Sequence, residues 1–144
     1  RSLATGAQLV VLSSLLLAAL VWLLRAPIAQ FYTPSPAVLP MATWLLGWLS
    51  LYHLVDAWQV FLVFALRCYQ VTVRPLVTYT VLLWGVGLGG GQWLAYGASE
   101  WAQALGLAHQ SPLSFWQSAT VALALTCLVL APMLWRQSHR RRRA

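Results

Sequence analysis

The sequence predicts an all-α, polytopic membrane protein with four transmembrane helices, and two observations carry that prediction. The 144-residue chain is 60% hydrophobic and only 8% charged, with nine Trp and no Lys, a composition outside the range of soluble globular domains. Four apolar runs, over about 3–24, 37–68, 76–97 and 114–136, are each long enough, or nearly so, to cross a hydrocarbon core about 30 Å thick as a helix. A helix satisfies its own backbone where no water is present. Residues 1–144 form one transmembrane unit with a basic tail at 137–144, and no segment shows strand alternation.

The first run ends at Arg25-Ala26-Pro27, where Pro27 predicts a helix stop or a restarted turn. It is not a signal peptide, because no cleavage site with polar mature sequence follows and three more spans do. Ser35 is the expected N-cap of the second span and Pro36 its first helical residue. That span is longer than a bilayer needs, which a tilt would absorb. Arg67–Pro75 turns the chain back, and Pro75 suits a first helical turn. In the third span Gly85/Gly89 and Gly87/Gly91 have the small-xxx-small spacing of closely packed membrane helices. The same glycines also fit a break or kink. Residues 98–112 form a polar loop holding Glu100, and Ser111-Pro112 opens the last span. The chain begins at Arg1 with no Met, which suggests a fragment.

With the amino terminus placed inside, Arg1, Arg67, Arg74, Arg136 and Arg140 to Arg143 fall on the cytoplasmic side and only Arg25 outside. That bias predicts cytoplasmic ends. The terminal Arg run reads as a stop-transfer anchor that can also meet anionic lipid. Nothing near it would read bases, so nucleic acid is not an expected partner. Cys68 and Cys127, with the scattered His53, His109 and His139, make neither a disulfide framework nor a metal cluster. Trp22, Trp93, Trp101, Trp116 and Trp135 fall near span ends, as an interfacial belt does.

Asp56 is the chain's anomaly. It lies about 15 Å from the end of its run, near the bilayer midplane. A charge there costs at least ~2.5–3.5 kcal/mol, which makes an intramembrane acid a functional candidate by default. Tyr52, Asp56 and Gln59 stand at i, i+4 and i+7, with His53 flanking them, so they share a face that should turn toward other helices or a watery cavity. The group reads as a cation or proton site. A proton needs only the carboxylate. Na+ needs more oxygens than the stripe supplies, so Asp56 is a candidate Na+ ligand in an incomplete site. Trp48 and Trp58, like Trp44, could face a cavity and hold organic cations through their rings, or they are packed bulk. Packing glue is the structural alternative for Asp56, though polar contacts between membrane helices average under ~1 kcal/mol.

Ordered motifs also carry a resemblance. Arg25-Ala-Pro-Ile-Ala-Gln-Phe-Tyr-Thr33, Tyr52-His-Leu-Val-Asp56-Ala-Trp-Gln59, Leu66-Arg-Cys-Tyr69, Thr72, Arg74-Pro75, Tyr79, Trp84-Gly-Val-Gly-Leu88, Gly106 and Phe115-Trp116 resemble the multidrug and toxic compound extrusion (MATE) family. The likeness is to its NorM-type bacterial branch and covers nearly the whole chain. It implies helices nine to twelve of a twelve-helix transporter, part of a six-helix lobe, that uses Na+ or H+ to expel organic cations. It also implies that Tyr52 and Asp56 match a Tyr and Asp of the family's coupling site, which a Glu on helix seven usually shares. The connector departs from the usual Leu-Arg-Gly-Tyr-Lys-Asp-Thr, His53 stands where Gln is common, and Gly89-Gly90-Gly91-Gln92 replaces a Gly-Leu-Pro-Leu-Gly-Tyr-like segment.

The expected function is therefore part of a cation-coupled multidrug efflux antiporter of the inner membrane. Its partners would be the bilayer, organic-cation drugs and the remaining helices, with no cofactor beyond the coupling ion. Asp56 and Tyr52 are the coupling candidates, and His53, Gln59, Trp48 and Trp58 are supporting or substrate-cavity candidates. The alternatives are a non-transporting scaffold or assembly subunit, or an inactive truncated fragment. An intramembrane enzyme built on His53 and Asp56 is disfavoured, because no nucleophile, metal cluster or second acid lies nearby.

Overall fold

The computed structural model describes residues 2–97 and 112–143. The expectations for Arg1, Glu100, Trp101, Gly106, His109 and Ser111 lie outside the described residues. The chain is an all-α, multi-pass membrane protein. Three described helices are long and apolar enough to cross a membrane, over Leu3–Tyr32, Leu39–Cys68 and Pro112–His139.

Helix α1 spans Ser2–Tyr32 with Pro27 inside it, so the predicted stop is corrected. Proline removes one backbone donor and kinks a helix, but freeing a whole turn of backbone in an apolar environment costs more. The helix instead continues to buried Ala29, whose carbonyl accepts the Thr33 N–H at 3.0 Å. Helix α2 spans Leu39–Cys68, with Val38 at its N-cap and Pro40 in its first turn. The expected Ser35 cap is corrected as well. The Ser35 carbonyl accepts from Val38 and Leu39 N–H in a turn of its own, and Pro40, which has no N–H, interrupts the ladder behind it.

At its C-terminus α2 closes in a Schellman motif. Val71 N–H donates to Leu66 O at 3.1 Å and Gln70 N–H to Arg67 O at 2.8 Å. The left-handed position of this motif, where glycine is usual, is held by Gln70 at φ 60°. A left-handed non-glycine residue costs about 1–2 kcal/mol. Gln70→Gly is therefore expected to stabilise the protein by about 1 kcal/mol, read as a raised thermal unfolding midpoint in detergent.

The third pass is helical over 73–97 but changes pitch along its length. It begins as α3, Val73–Leu82, with buried Pro75 in the first turn. It then widens into π turns over Leu83–Gly89, tightens for Gly90–Gln92, and widens again over Trp93–Gly97. Such wide turns are rare, and they occur here where glycines lower the cost of irregular backbone. Helix α4 spans Pro112–Arg143 and carries Pro132 within it.

The helices pack side by side in the order α1, α2, α4, third pass. Leu62, Ala65 and Leu66 of α2 meet Cys127, Leu130 and Leu134 of α4 in a buried cluster. The glycine prediction holds for one pair and not the other. A Cβ on Gly87 would meet Ala122 and Ala119 of α4 at 3.6 and 3.7 Å, and one on Gly91 would strike Phe115. Gly85 has nothing within 4 Å, and the nearest atom to Gly89 is a carbonyl of its own helix at 3.7 Å. Between the packed pair, Ser118 donates to Val86 O, a carbonyl that also accepts the Gly90 N–H.

Candidate functional site

The stripe on α2 faces the third pass. Asp56 and Gln59 line a cleft of about 320 Å³ with Phe64 and Arg67 of the same helix and Pro75 and Tyr79 of α3. Tyr52 borders a second hollow of about 380 Å³, with Trp84 and Gly87 of the third pass and Phe115 and Trp116 of α4. Its ring meets Trp116 edge-on, centroids 5.3 Å apart at 87°. One helical turn of α2, about 6 Å, thus separates Tyr52 in one hollow from Asp56 in the other. From α4 the Cys127 thiol donates to the Val55 carbonyl at 3.7 Å, one residue before Asp56. Three helices converge on the carboxylate.

Among the described residues Asp56 is the only acid, is half-buried, accepts no hydrogen bond and makes no ion pair. Arg67 shares its cleft but lies eleven positions on, about 16 Å along the helix. Its guanidinium sits over the Phe64 ring, 5.2 Å from the centroid. Gln59 is 5% exposed and reaches the same cleft. The Asp56 carboxylate, the Gln59 amide and the Tyr79 phenol line one cleft and supply oxygen atoms for a small cation. The carboxylate alone can take a proton. Among the described residues no three His, Cys, Asp or Glu side chains gather as a metal cluster would require.

The other predicted residues are placed apart. His53 is half-buried and lines neither hollow. Trp58 stacks on Phe61 at 5.3 Å and 22° and packs against the α2–α4 cluster. Trp48 lines a different groove, between α1 and α2. Tyr79 was legible only as part of a family motif. Its signal was the run Thr72, Leu76, Tyr79 at i, i+4 and i+7, the same spacing as the α2 stripe. Gln117 gave no such signal, yet its Oε1 is buried without a hydrogen-bond partner among the described residues.

The family model MatE matches residues 1–91. Similar proteins include a "Probable multidrug resistance protein NorM" of Aromatoleum aromaticum, 32% identical over 121 residues, covering 83% of this chain and 25% of that protein. A protein of the same name from Chromobacterium violaceum is 35% identical over 123 residues, 85% of this chain and 25% of its own length. "Multidrug resistance protein PmpM" of Pseudomonas aeruginosa is 35% identical over 123 residues, 85% of this chain and 24% of its own length. No solved structure gives a significant match. The chain spans about a quarter of the length of these relatives, which fits the carboxyl-terminal placement its motifs imply. With the family model matching most of the chain and relatives above 30% identity over more than four-fifths of it, this chain belongs to the MATE family.

Proposed function

We propose that this chain is the four-helix, carboxyl-terminal part of a cation-coupled multidrug efflux antiporter in the inner membrane, with both ends cytoplasmic. Asp56 binds and releases the coupling ion, Na+ or H+. Gln59 and Tyr79 line the cleft in which the ion sits, and Tyr52 supports it from one helical turn away. Occupancy of the carboxylate changes the charge between α2 and the third pass, and so biases the equilibrium between inward- and outward-facing arrangements. The exported drugs are organic cations, and the remaining helices of the protein supply the ligands the site lacks.

The observation that carries this reading is the half-buried Asp56 carboxylate, in a spanning helix, facing a cleft with no ion pair among the described residues. The names of the relatives support the multidrug part. The test is Asp56→Asn in the full-length transporter, which keeps the side chain's shape and removes its charge. Gradient-driven efflux of an organic cation from proteoliposomes is expected to fall about tenfold or more, equivalent to about 1.4 kcal/mol or more, with the unfolding midpoint unchanged. Efflux at the wild-type rate would remove Asp56 from the coupling step. Loss of assembly with flux intact would favour a scaffold.

A further inference from the structure

A hollow larger than the Asp56 cleft lies elsewhere among the described residues. It is a groove of about 610 Å³ between α1 and α2, lined by Leu15, Ala18 and Trp22 on one wall and Trp48, Leu51 and Leu54 on the other. Its walls are apolar almost throughout. At one end the Arg25 guanidinium lies over the Trp22 ring, 4.2 Å from the centroid. Gly47 leaves the space it occupies: a Cβ there would meet Trp22 at 3.1 Å and Arg25 at 3.2 Å.

Two measures say what suits this groove. The first is length. On α2 the lining runs from Trp44 to Leu54, ten residues or about 15 Å of helix, which is half of a hydrocarbon core about 30 Å thick. The groove is therefore one leaflet deep. The second is charge. Arg25 has no acidic partner among the described residues, and Asp56, the only described acid, lies nine positions past Gly47 on α2. A cation at the mouth repels a cationic drug and attracts a phosphate. Arginine's planar fork suits phosphate in particular, and its stacking on Trp22 holds that fork in place.

We infer that the α1–α2 groove is a binding site for an anionic phospholipid, one acyl chain lying along Leu15 to Leu54 and the phosphate resting on Arg25. The Trp side chains at the Arg25 end sit at the level where indole rings favour the interface. The site is separate from the Asp56 cleft and does not depend on the coupling role of that residue.

With the protein's other tryptophans replaced by Phe, Trp22, Trp44 and Trp48 of the groove report the test. The full-length protein is reconstituted in phosphatidylcholine vesicles doped with either dibrominated phosphatidylglycerol or dibrominated phosphatidylcholine, and Trp quenching is followed against mole fraction. Wild type is expected to reach half-maximal quenching at about fivefold less of the anionic lipid, the contribution of one guanidinium at a membrane surface. Arg25→Gln should abolish most of that preference, and Arg25→Lys should keep a large part of it. Gly47→Leu, which fills the groove from the opposite wall, should lower the quenching plateau for both lipids. No preference in wild type overturns the proposal, as would follow if another helix of the protein covers the groove. So does a preference unchanged in Arg25→Gln, which would place the anionic lipid elsewhere. Should Arg25→Gln not fold, an unchanged plateau in Gly47→Leu overturns it alone.

Discussion

Gly91→Leu is expected to pry the third pass off α4 and destabilise the protein by about 3 kcal/mol, the upper end for overpacking. A Cβ at this position would stand 2.6 Å from the Phe115 ring and 3.1 Å from the Phe115 Cα. The ring can rotate away, but the backbone atom cannot, so the helices must separate along their length. The matched control is Gly85→Ala six residues earlier, where a Cβ meets nothing within 4 Å. That substitution should stabilise by about 0.5–1 kcal/mol through helix propensity alone. Opposite signs for two glycines of one helix, read as shifts in the unfolding midpoint in detergent, would fix which face of the third pass meets α4. Equal effects would mean that this face is assigned wrongly.

Leu66→Ala should cost roughly 2 kcal/mol, toward the low end for a buried Leu truncation. Leu66 is wholly buried in the α2–α4 cluster, and its carbonyl accepts the Tyr69 and Val71 N–H groups that close α2. In water a truncation loses both transfer energy and packing. Lipid tails are as apolar as leucine, so within a bilayer mainly the cavity term remains. Leu128→Ala, on a residue 71% exposed, should cost close to nothing by the same argument. A large loss there would mean that the α4 face carrying Leu128 packs against something other than lipid.

Periodicity made α2 readable. Its polar residues recur at the helical repeat, and the structure places Tyr52, Asp56 and Gln59 on the groove side. Trp58, expected as a cavity candidate, falls on another face by the same rule. At about 100° per residue it sits roughly 160° from Asp56 around the helix, and it packs on the far side against Phe61. Trp48 is about 80° away by that count, and no sequence rule says whether such a position meets α1 or α3. The answer depends on the lateral order of the helices, which is set by long-range packing. The end of α1 was misread because Pro27 is a strong breaker in water, while an apolar surrounding penalises the broken alternative more heavily. The choice of Gly87 and Gly91 over Gly85 and Gly89 was likewise hidden. Both pairs carry the same spacing, and the partner residues Phe115, Ala119 and Ala122 lie on a helix far away in the chain.

The side-by-side order has a consequence for biosynthesis. Helices α1 and α2 are neighbours in both sequence and space, so they can pair as soon as the second leaves the ribosome. The third pass emerges next, and among the described helices its extensive contacts are with α4, made after it. Until α4 is translated, Gly87 and Gly91 lack the Phe115, Ala119 and Ala122 side of α4 that they pack against, and the irregular turns around them lack that brace. Helix α4 then has to slide between two that are already inserted. The insertion machinery must hold the third pass open for it, and a ribosome stalled before Pro112 would leave a pair and an orphan in place of a bundle.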